Sequence, residues 1–357
     1  MSAPAKYDLS RRSLFERLFE PPRIGAMAPA TKVIVYTVLG LWTLFVVFPI
    51  YWVVVTSFKL PQHVNEGPVY IPFVDYMPSL HAWQALLVTD FGDTLRSYIN
   101  SFVVSIGATV LCIIIGSMAA YALARMQYKP KLGIILTFVA VLLAALVVTI
   151  LAGVDWKLTM AAALAVFFFL ARALGKHFKA TLGNGDILFW IISQRILPPI
   201  VVIIPIYLMF QQVGLIDTHL GLILAYTVGN LPIAVWLMYD FFSGLPIELE
   251  ESAQLDGATR FGIFWEIVLP LTKPGLAATT LLVLILNWNE YLMAVFLSTS
   301  KAQTMPILVA AMNAGDRGIL WWTMCVVIVV MILPVIAMAV ILQRFIAKGV
   351  LLGAVKG

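Results

Sequence analysis

From Val33 to near its end the chain repeats one pattern: a long unbroken apolar run, a short polar break, then another run. Eight such runs stand at about 33–56, 97–124, 132–153, 156–174, 187–213, 219–242, 275–297 and 319–342. Crossing a hydrocarbon layer of ~30 Å takes about 20 helical residues, and each run is close to that length. Barrel strands would show short segments of alternating polarity, whereas these runs are continuous. The pattern therefore predicts helices, which satisfy their own backbone hydrogen bonds in lipid. The fold class is an all-α polytopic membrane protein. The third and fourth runs are separated only by Gly153 to Trp156, which predicts a helical hairpin that enters and leaves without changing the topology around it. Between the first two runs, Lys59 to Tyr98 carries Pro61, Pro68, Pro72 and Pro78, and Leu80 to Leu87 is a mixed stretch suited to the membrane surface. No internal repeat of the secondary-transporter kind is visible.

Composition agrees: 62% of residues are hydrophobic and 11% charged, against roughly 25% charged in a soluble domain. The net charge of +5 does not point to nucleic acid, because Lys and Arg lie between the apolar runs and not along one stripe. Seventeen of them fall in the N-terminal segment, the alternate loops and the C-terminus, five on the opposite face, and one, Arg195, within a run. This asymmetry predicts cytoplasmic termini: a segment 1–32, a membrane domain 33–342 and a tail 343–357. The N-terminal segment has no compact apolar stretch before a small-residue cleavage site, so no cleaved signal peptide is expected. Cys112 and Cys325 sit inside apolar runs and read as small core hydrophobes.

The cytoplasmic loop 243–274 is too patterned to be a plain connector. Pro246 suits the first turn of a helix, and Glu248, Glu250 and Glu251 follow where the helix dipole favours anions. Ile247 to Asp256 then reads as two or three turns stopped by Gly257, followed by a second amphipathic stretch from Phe261 to Val268 that runs into Leu269-Pro270. Glu251-Ser252-Ala253, Gly257 four residues after Ala253, and Ile267-Val268-Leu269-Pro270 together resemble the EAA loop of binding-protein-dependent ABC importer permeases, with Ser252 where that family usually has Ala. The stretch Glu250 to Ala258, the run Asn287-Trp288-Asn289-Glu290 and the ending Gly353 to Gly357 look like the maltose- and glycerol-phosphate-type carbohydrate permeases. Tyr51-Trp52, Ser57-Phe58-Lys59 and Ala119 to Arg125 extend the resemblance.

The resemblance implies a type I importer permease fold of six helices, here raised to about eight by an inserted hairpin at 131–180. It implies a permease subunit that moves a sugar or sugar-like solute across the bacterial inner membrane by alternating access. It also implies a second permease subunit, favouring a heterodimer, an ABC ATPase dimer that binds the ATP and Mg, and an extracytoplasmic solute-binding protein. Glu250, Glu251, Ser252, Ala253, Leu255, Asp256, Gly257 and Ala258 are then the residues of a coupling helix that docks in a cleft of the ATPase. The tail is expected to reach the ATPase dimer. By itself, an exposed glutamate such as Glu251 would more often be a solvated surface group.

No G-x-x-x-x-G-K-[ST] phosphate loop occurs, since Gly175-Lys176 lacks both the upstream glycine and the following Ser or Thr. ATP hydrolysis therefore belongs to a partner, and the chain itself is not expected to be an enzyme or to hold a cofactor. Ionisable groups at membrane depth are costly, which singles out Arg195, Asn287, Asn289 and Glu290, with Trp288 among them. Arg195 precedes Pro198-Pro199 and has three readings: it lines the cytoplasmic half of a pathway, pairs with Glu290, or reaches the headgroups. The Asn and Glu residues could bond sugar hydroxyls while Trp288 stacks on a ring, or they could tie helices together. Trp42, Trp52, Trp321 and Trp322 suit interfacial anchors. His63, His81, His177 and His219 show no metal-ligand spacing, and no nucleophile with its base is apparent. The reading from another class, an ion-coupled secondary carrier of a small polar solute, would need more intramembrane carboxylates than Glu290.

Overall fold

Helices account for most of the computed structural model, which describes residues 13–21, 26–65, 67, 69–89, 91–313 and 320–353. Parts of the expected N-terminal segment (1–12 and 22–25) and the last four residues of the tail lie outside the described residues. Among the described residues six helices are long and apolar enough to cross a membrane: α1 (Pro29–Thr56), α2 (Phe91–Arg125), α3 (Leu132–Ala152), α4 (Trp156–Leu174), α7 (His219–Ser243) and the Trp321–Ile341 part of α11 (Trp321–Gly353). Two bent pairs raise the number to as many as eight if each pair is one span. The first joins α5 (Asn184–Ser193), which continues as a 3₁₀ turn Gln194–Ile196, to α6 (Pro199–Gln212) at 90°. The second joins Arg260–Leu271 to α9 (Lys273–Trp288) at 82°.

The chain divides into two compact units. The first holds residues 1–92 and 311–330. Its α1 is apolar on all sides and buries only Val55 and Thr56, as a lipid-facing span does. Beyond α1 the chain folds back on the helix end: the Tyr76 hydroxyl donates to Val55 O at 2.9 Å, Ser79 N to Phe58 O at 2.8 Å, and Phe58 stacks on Trp83. The expected surface stretch is a short helix, His81–Gln84, continued by a π-type turn to Thr89.

In the second unit, 93–310 and 331–357, the most enclosed helix is α7. It approaches α2 where side chains are small: a Cβ on Gly116 would stand 2.9 Å from the Ala234 Cβ. Small residues that let backbones close up are how membrane helices gain packing without a hydrophobic driving force. Between Ser193 and Pro199 helix cannot continue. Leu197 and Pro198 each precede a proline and are pushed to extended backbone, with ψ of 130° and 128°. The fifth apolar run, expected as one helix, is therefore two. The seventh run is broken as well, because α9 ends at Trp288 and α10 (Leu292–Leu297) starts only after Asn289 to Tyr291.

Helices α3 and α4 form the expected hairpin. Its ends are clipped together by an antiparallel bridge between Lys131 and Thr181, with Leu132 N donating to Ala180 O and Leu182 N to Pro130 O, both at 2.9 Å. Just past the clip, the Asn184 side chain donates to the carbonyls of Leu123 and Met126, closing the C-terminus of α2. The chain thus leaves the end of α2, makes the excursion, and returns to the same point.

Candidate functional site

The loop after α7 is built as its residues require. Helix α8 (Glu248–Leu255) has three glutamates in its first turn. It ends on Gly257, whose φ of +87° is the left-handed conformation that glycine adopts without steric cost. Ala258 N donates to Ala253 O and Gly257 N to Gln254 O, both at 3.0 Å, so two otherwise unpaired carbonyls are satisfied in a Schellman arrangement. Thr259 then caps a short turn, Arg260–Ile263, through its Oγ1. The following π-type turn carries Phe264 and Val268 into a core with Ala120, Tyr121, Met238 and Phe242.

Within α8 the side chains divide into two sets. Glu251, Ser252, Leu255 and Asp256 are exposed, Leu255 by 90%, and Ala253 is half-buried. Glu250 is 4% exposed and faces inward. Its Oε1 lies 2.6 Å from Arg125 Nε and its Oε2 accepts from the Tyr121 hydroxyl at 2.8 Å, while Arg125 Nη2 donates to Leu245 O at 2.9 Å. The sequence counts Glu250 among the coupling-helix residues, and in the structure its side chain faces α2. There it locks the loop to the last turn of α2. Removing one partner of such a buried pair costs about 3–5 kcal/mol, because the other charge is left uncompensated.

A second cluster lies at the break between α5 and α6. Arg195, Asn230 and Glu290 line one cleft of about 320 Å³, with Gln194, Val202 and Met293. Arg195 Nη2 donates to Asn230 Oδ1 at 2.8 Å, Asn230 Nδ2 to Asn287 Oδ1 at 2.6 Å, and Asn287 Nδ2 to Thr109 Oγ1 at 2.9 Å. This chain of polar groups runs from the cleft through α7 and α9 to α2. Glu290 does not take up the arginine; its Oε1 accepts from Met293 N and so caps α10. Of the other candidates, Asn287 is buried within the chain of bonds and Asn289 is exposed, bonded to Ile285 O. Trp288 does not line the cleft. It is 1% exposed, packs edge-on against Tyr98 and Phe102, and donates to Met331 O. Asn230 is a site residue that the sequence pattern does not single out, since one amide in an apolar run carries no mark of its partners.

At the other end of this unit Asp217, at φ +58°, gathers the loop 299–302: its carboxylate accepts from the backbone of Thr299, Ser300, Lys301 and Ala302. Burial opposes its ionisation, but the donors from Ala302, Thr299 and Lys301 outweigh that and hold the carboxyl below the usual aspartate range. His219 bonds Asn100, whose amide donates to the carbonyls of Lys301 and Gln303. No group of metal-ligating side chains is found among the described residues.

Residues 168–351 match the family described as the binding-protein-dependent transport system inner membrane component. The trehalose/maltose transport system permease protein MalG of Thermococcus litoralis is 25% identical over 321 residues, 89% of this chain and 94% of that protein. The trehalose transport system permease protein SugB of Mycobacterium tuberculosis is 28% identical over 320 residues, 88% of this chain and 93% of that one. A solved chain of a bacterial ABC transporter involved in the import of the acidic polysaccharide alginate shares the fold, with a TM-score of 0.59 and 20% identity over 93% of this chain and 98% of that chain.

Proposed function

The chain belongs to the family of binding-protein-dependent transport system inner membrane components, as an ABC importer permease subunit, and we propose that the solute it passes is a sugar or sugar-like molecule moved inward by alternating access. The names of relatives that match along nearly their whole length support the solute class, since two of them carry trehalose or maltose. The observation that carries the mechanism is the two-sided helix α8. Its exposed face, with Glu251, Ser252, Leu255 and Asp256, is free to dock in a partner ATPase, while Glu250 fixes its other face to α2 through Arg125. A displacement applied from the ATPase side would reach a helix of 35 residues directly, without crossing a flexible link.

In this reading ATP and magnesium bind the ATPase dimer, and a second permease subunit completes the pathway. A solute-binding protein delivers the solute from outside, and both termini lie in the cytoplasm. The cleft holding Arg195 and Glu290 faces that pathway, with Asn230 and Asn287 setting the arginine's position. An ion-coupled carrier finds little to work with here, because the Glu290 carboxylate is engaged in capping α10. The test is uptake of labelled trehalose into proteoliposomes holding this chain, its partner permease and the ATPase, with the binding protein outside. Uptake is expected to need hydrolysable ATP inside and to be indifferent to proton and sodium gradients. Uptake driven by a gradient without ATP would overturn the reading.

A further inference from the structure

Just beyond the end of α1, the first unit contains a cavity of about 600 Å³ that the transport reading does not use. Ligand sites of ~300–1,000 Å³ are typical of small molecules, so there is room for one sugar ring or a lipid headgroup. Its walls include the rings of Trp52, Tyr70 and Trp321, and the polar side chains of Thr56, Lys59, His63 and Asn65. Lys59 is 2% exposed. Its ammonium donates to Val69 O and stands 4.4 Å from the Trp52 ring centroid and 5.4 Å from that of Tyr76. An ammonium has three donors, and one carbonyl does not use them up.

No carboxylate among the described residues pairs with Lys59. The one that acts on it, Asp75, spends its Oδ2 on the backbone N–H groups of Tyr70 and Ile71. Burial lowers the lysine's pKa, with Cys325 and Asp75 opposing. Independently of the lysine, Thr56 is 3% exposed and its Oγ1 has no hydrogen-bond partner, and the buried Nδ1 of His63 has none either. Leaving buried polar atoms unpaired forfeits the hydrogen bonds that water would have given them. A cavity that gathers two of them beside a buried cation, with three aromatic rings around it, has the donor set of a binding site and not that of a packing defect.

We propose that this cavity binds an oxyanion carried next to hydroxyl groups. Lys59 meets the negative charge, Thr56 and His63 meet the neighbouring hydroxyls, and the aromatic rings cover the C–H face. Two sources offer that chemistry: a free acidic sugar such as glucuronate, or the head of phosphatidylglycerol, which the headgroup-level position of Trp52 and Trp321 at span ends would admit.

The experiment uses the assembled transporter complex in phosphatidylcholine nanodiscs. Glucuronate and glucose are titrated with ligand-detected NMR, and phosphatidylglycerol and phosphatidylcholine are compared by native mass spectrometry of retained lipid. At least one acidic probe is expected to bind saturably and at least tenfold more tightly than its neutral counterpart, and to lose at least tenfold in Lys59→Gln and in Thr56→Val. Glucuronate alone assigns the free solute, and phosphatidylglycerol alone assigns the lipid. Thr56→Val keeps the shape of the helix end and carries the test if Lys59→Gln does not assemble. Equal binding of acidic and neutral probes, no saturable binding of either, or undiminished affinity in Thr56→Val would each overturn the proposal.

Discussion

Replacing Glu250 by alanine separates two roles that neighbouring glutamates would otherwise be assumed to share. The change leaves Arg125, whose side chain is only 11% exposed, without its carboxylate and leaves the Tyr121 hydroxyl without its acceptor. Breaking a buried pair from one side costs about 3–5 kcal/mol. Arg125 lies in the last turn of α2 and retains the Leu245 carbonyl, so the lower end, ~3 kcal/mol, is the better estimate, which is about a hundredfold in the equilibrium that docks α8 on the membrane domain. Hydrogen exchange over residues 247–257 reads that equilibrium directly. Glu250→Ala is expected to speed exchange there by one to two orders of magnitude and to uncouple ATP hydrolysis from uptake, with membrane insertion unchanged. Glu251→Ala should leave exchange within about threefold of the parent, because exposed charges contribute little to stability (~0–1 kcal/mol), yet weaken co-purification of the ATPase. The double change Glu250→Leu with Arg125→Met removes both charges and should recover most of the protection. If Glu250→Ala and Glu251→Ala exchange alike, the buried pair is not what holds the loop.

Other expectations follow from the same geometry. Deleting 132–180 joins residues already bridged at Lys131 and Thr181, where facing Cα atoms are about 4.5–5.5 Å apart. The complex should assemble and transport within threefold of the parent; normal assembly with no transport would show that the hairpin shapes the pathway. At Gly257 a Cβ meets no atom within 4 Å, so Gly257→Ala should cost only the left-handed backbone penalty, about 1–2 kcal/mol. Gly257→Pro also loses the bond to Gln254 and cannot reach positive φ, and should abolish coupling; equal ATPase coupling ratios in the two variants would count against the cap. Because the Asp217 pKa is depressed in the fold, its contribution is fully present above the unfolded value near ~3.9 and is lost as pH falls below it. Proteolysis or exchange in the loop 299–302 should therefore rise below about pH 4 in the parent, while Asp217→Asn should show a loosened loop at neutral pH and little further change on acidification.

What the residues disclosed before any coordinates were those features whose cause is local. The short turn at Gly153, the acidic first turn of α8 and the glycine that stops it each depend on a handful of consecutive positions and stand where the pattern put them, as do the apolar runs other than the fifth and seventh, which are broken. The 90° bend at Leu197-Pro198 was half legible: the prolines announce a disturbance, but a kinked helix and a broken one read the same in one dimension. The inward turn of Glu250 was not legible, because its partners lie 125 and 129 residues away in sequence and nothing in Arg125 distinguishes an ion-pair partner from a topology-setting charge. Asn230 was missed for a related reason. A single amide in an apolar run acquires meaning only once Arg195 and Asn287 are seen on either side of it.

The string of bonds from Arg195 to Thr109 has a consequence for how the chain is made. Three spans carry its amides and hydroxyl; the Thr109 hydroxyl also donates to Ser105 O within α2, whereas the amides of Asn230 and Asn287 are satisfied only by partners on other elements. Thr109 leaves the ribosome 178 residues before Asn287, an interval of about 10–35 s at ~5–20 residues per second. Within that interval α7 reaches the membrane with an Asn230 amide that lipid cannot satisfy. Helices in that condition are held beside the insertion machinery or one another until α9 arrives, whereas the hairpin α3–α4, with almost nothing polar at membrane depth, can pass into lipid at once. Biogenesis of this protein would then release the hairpin α3–α4 early and hold α7 until α9 joins it.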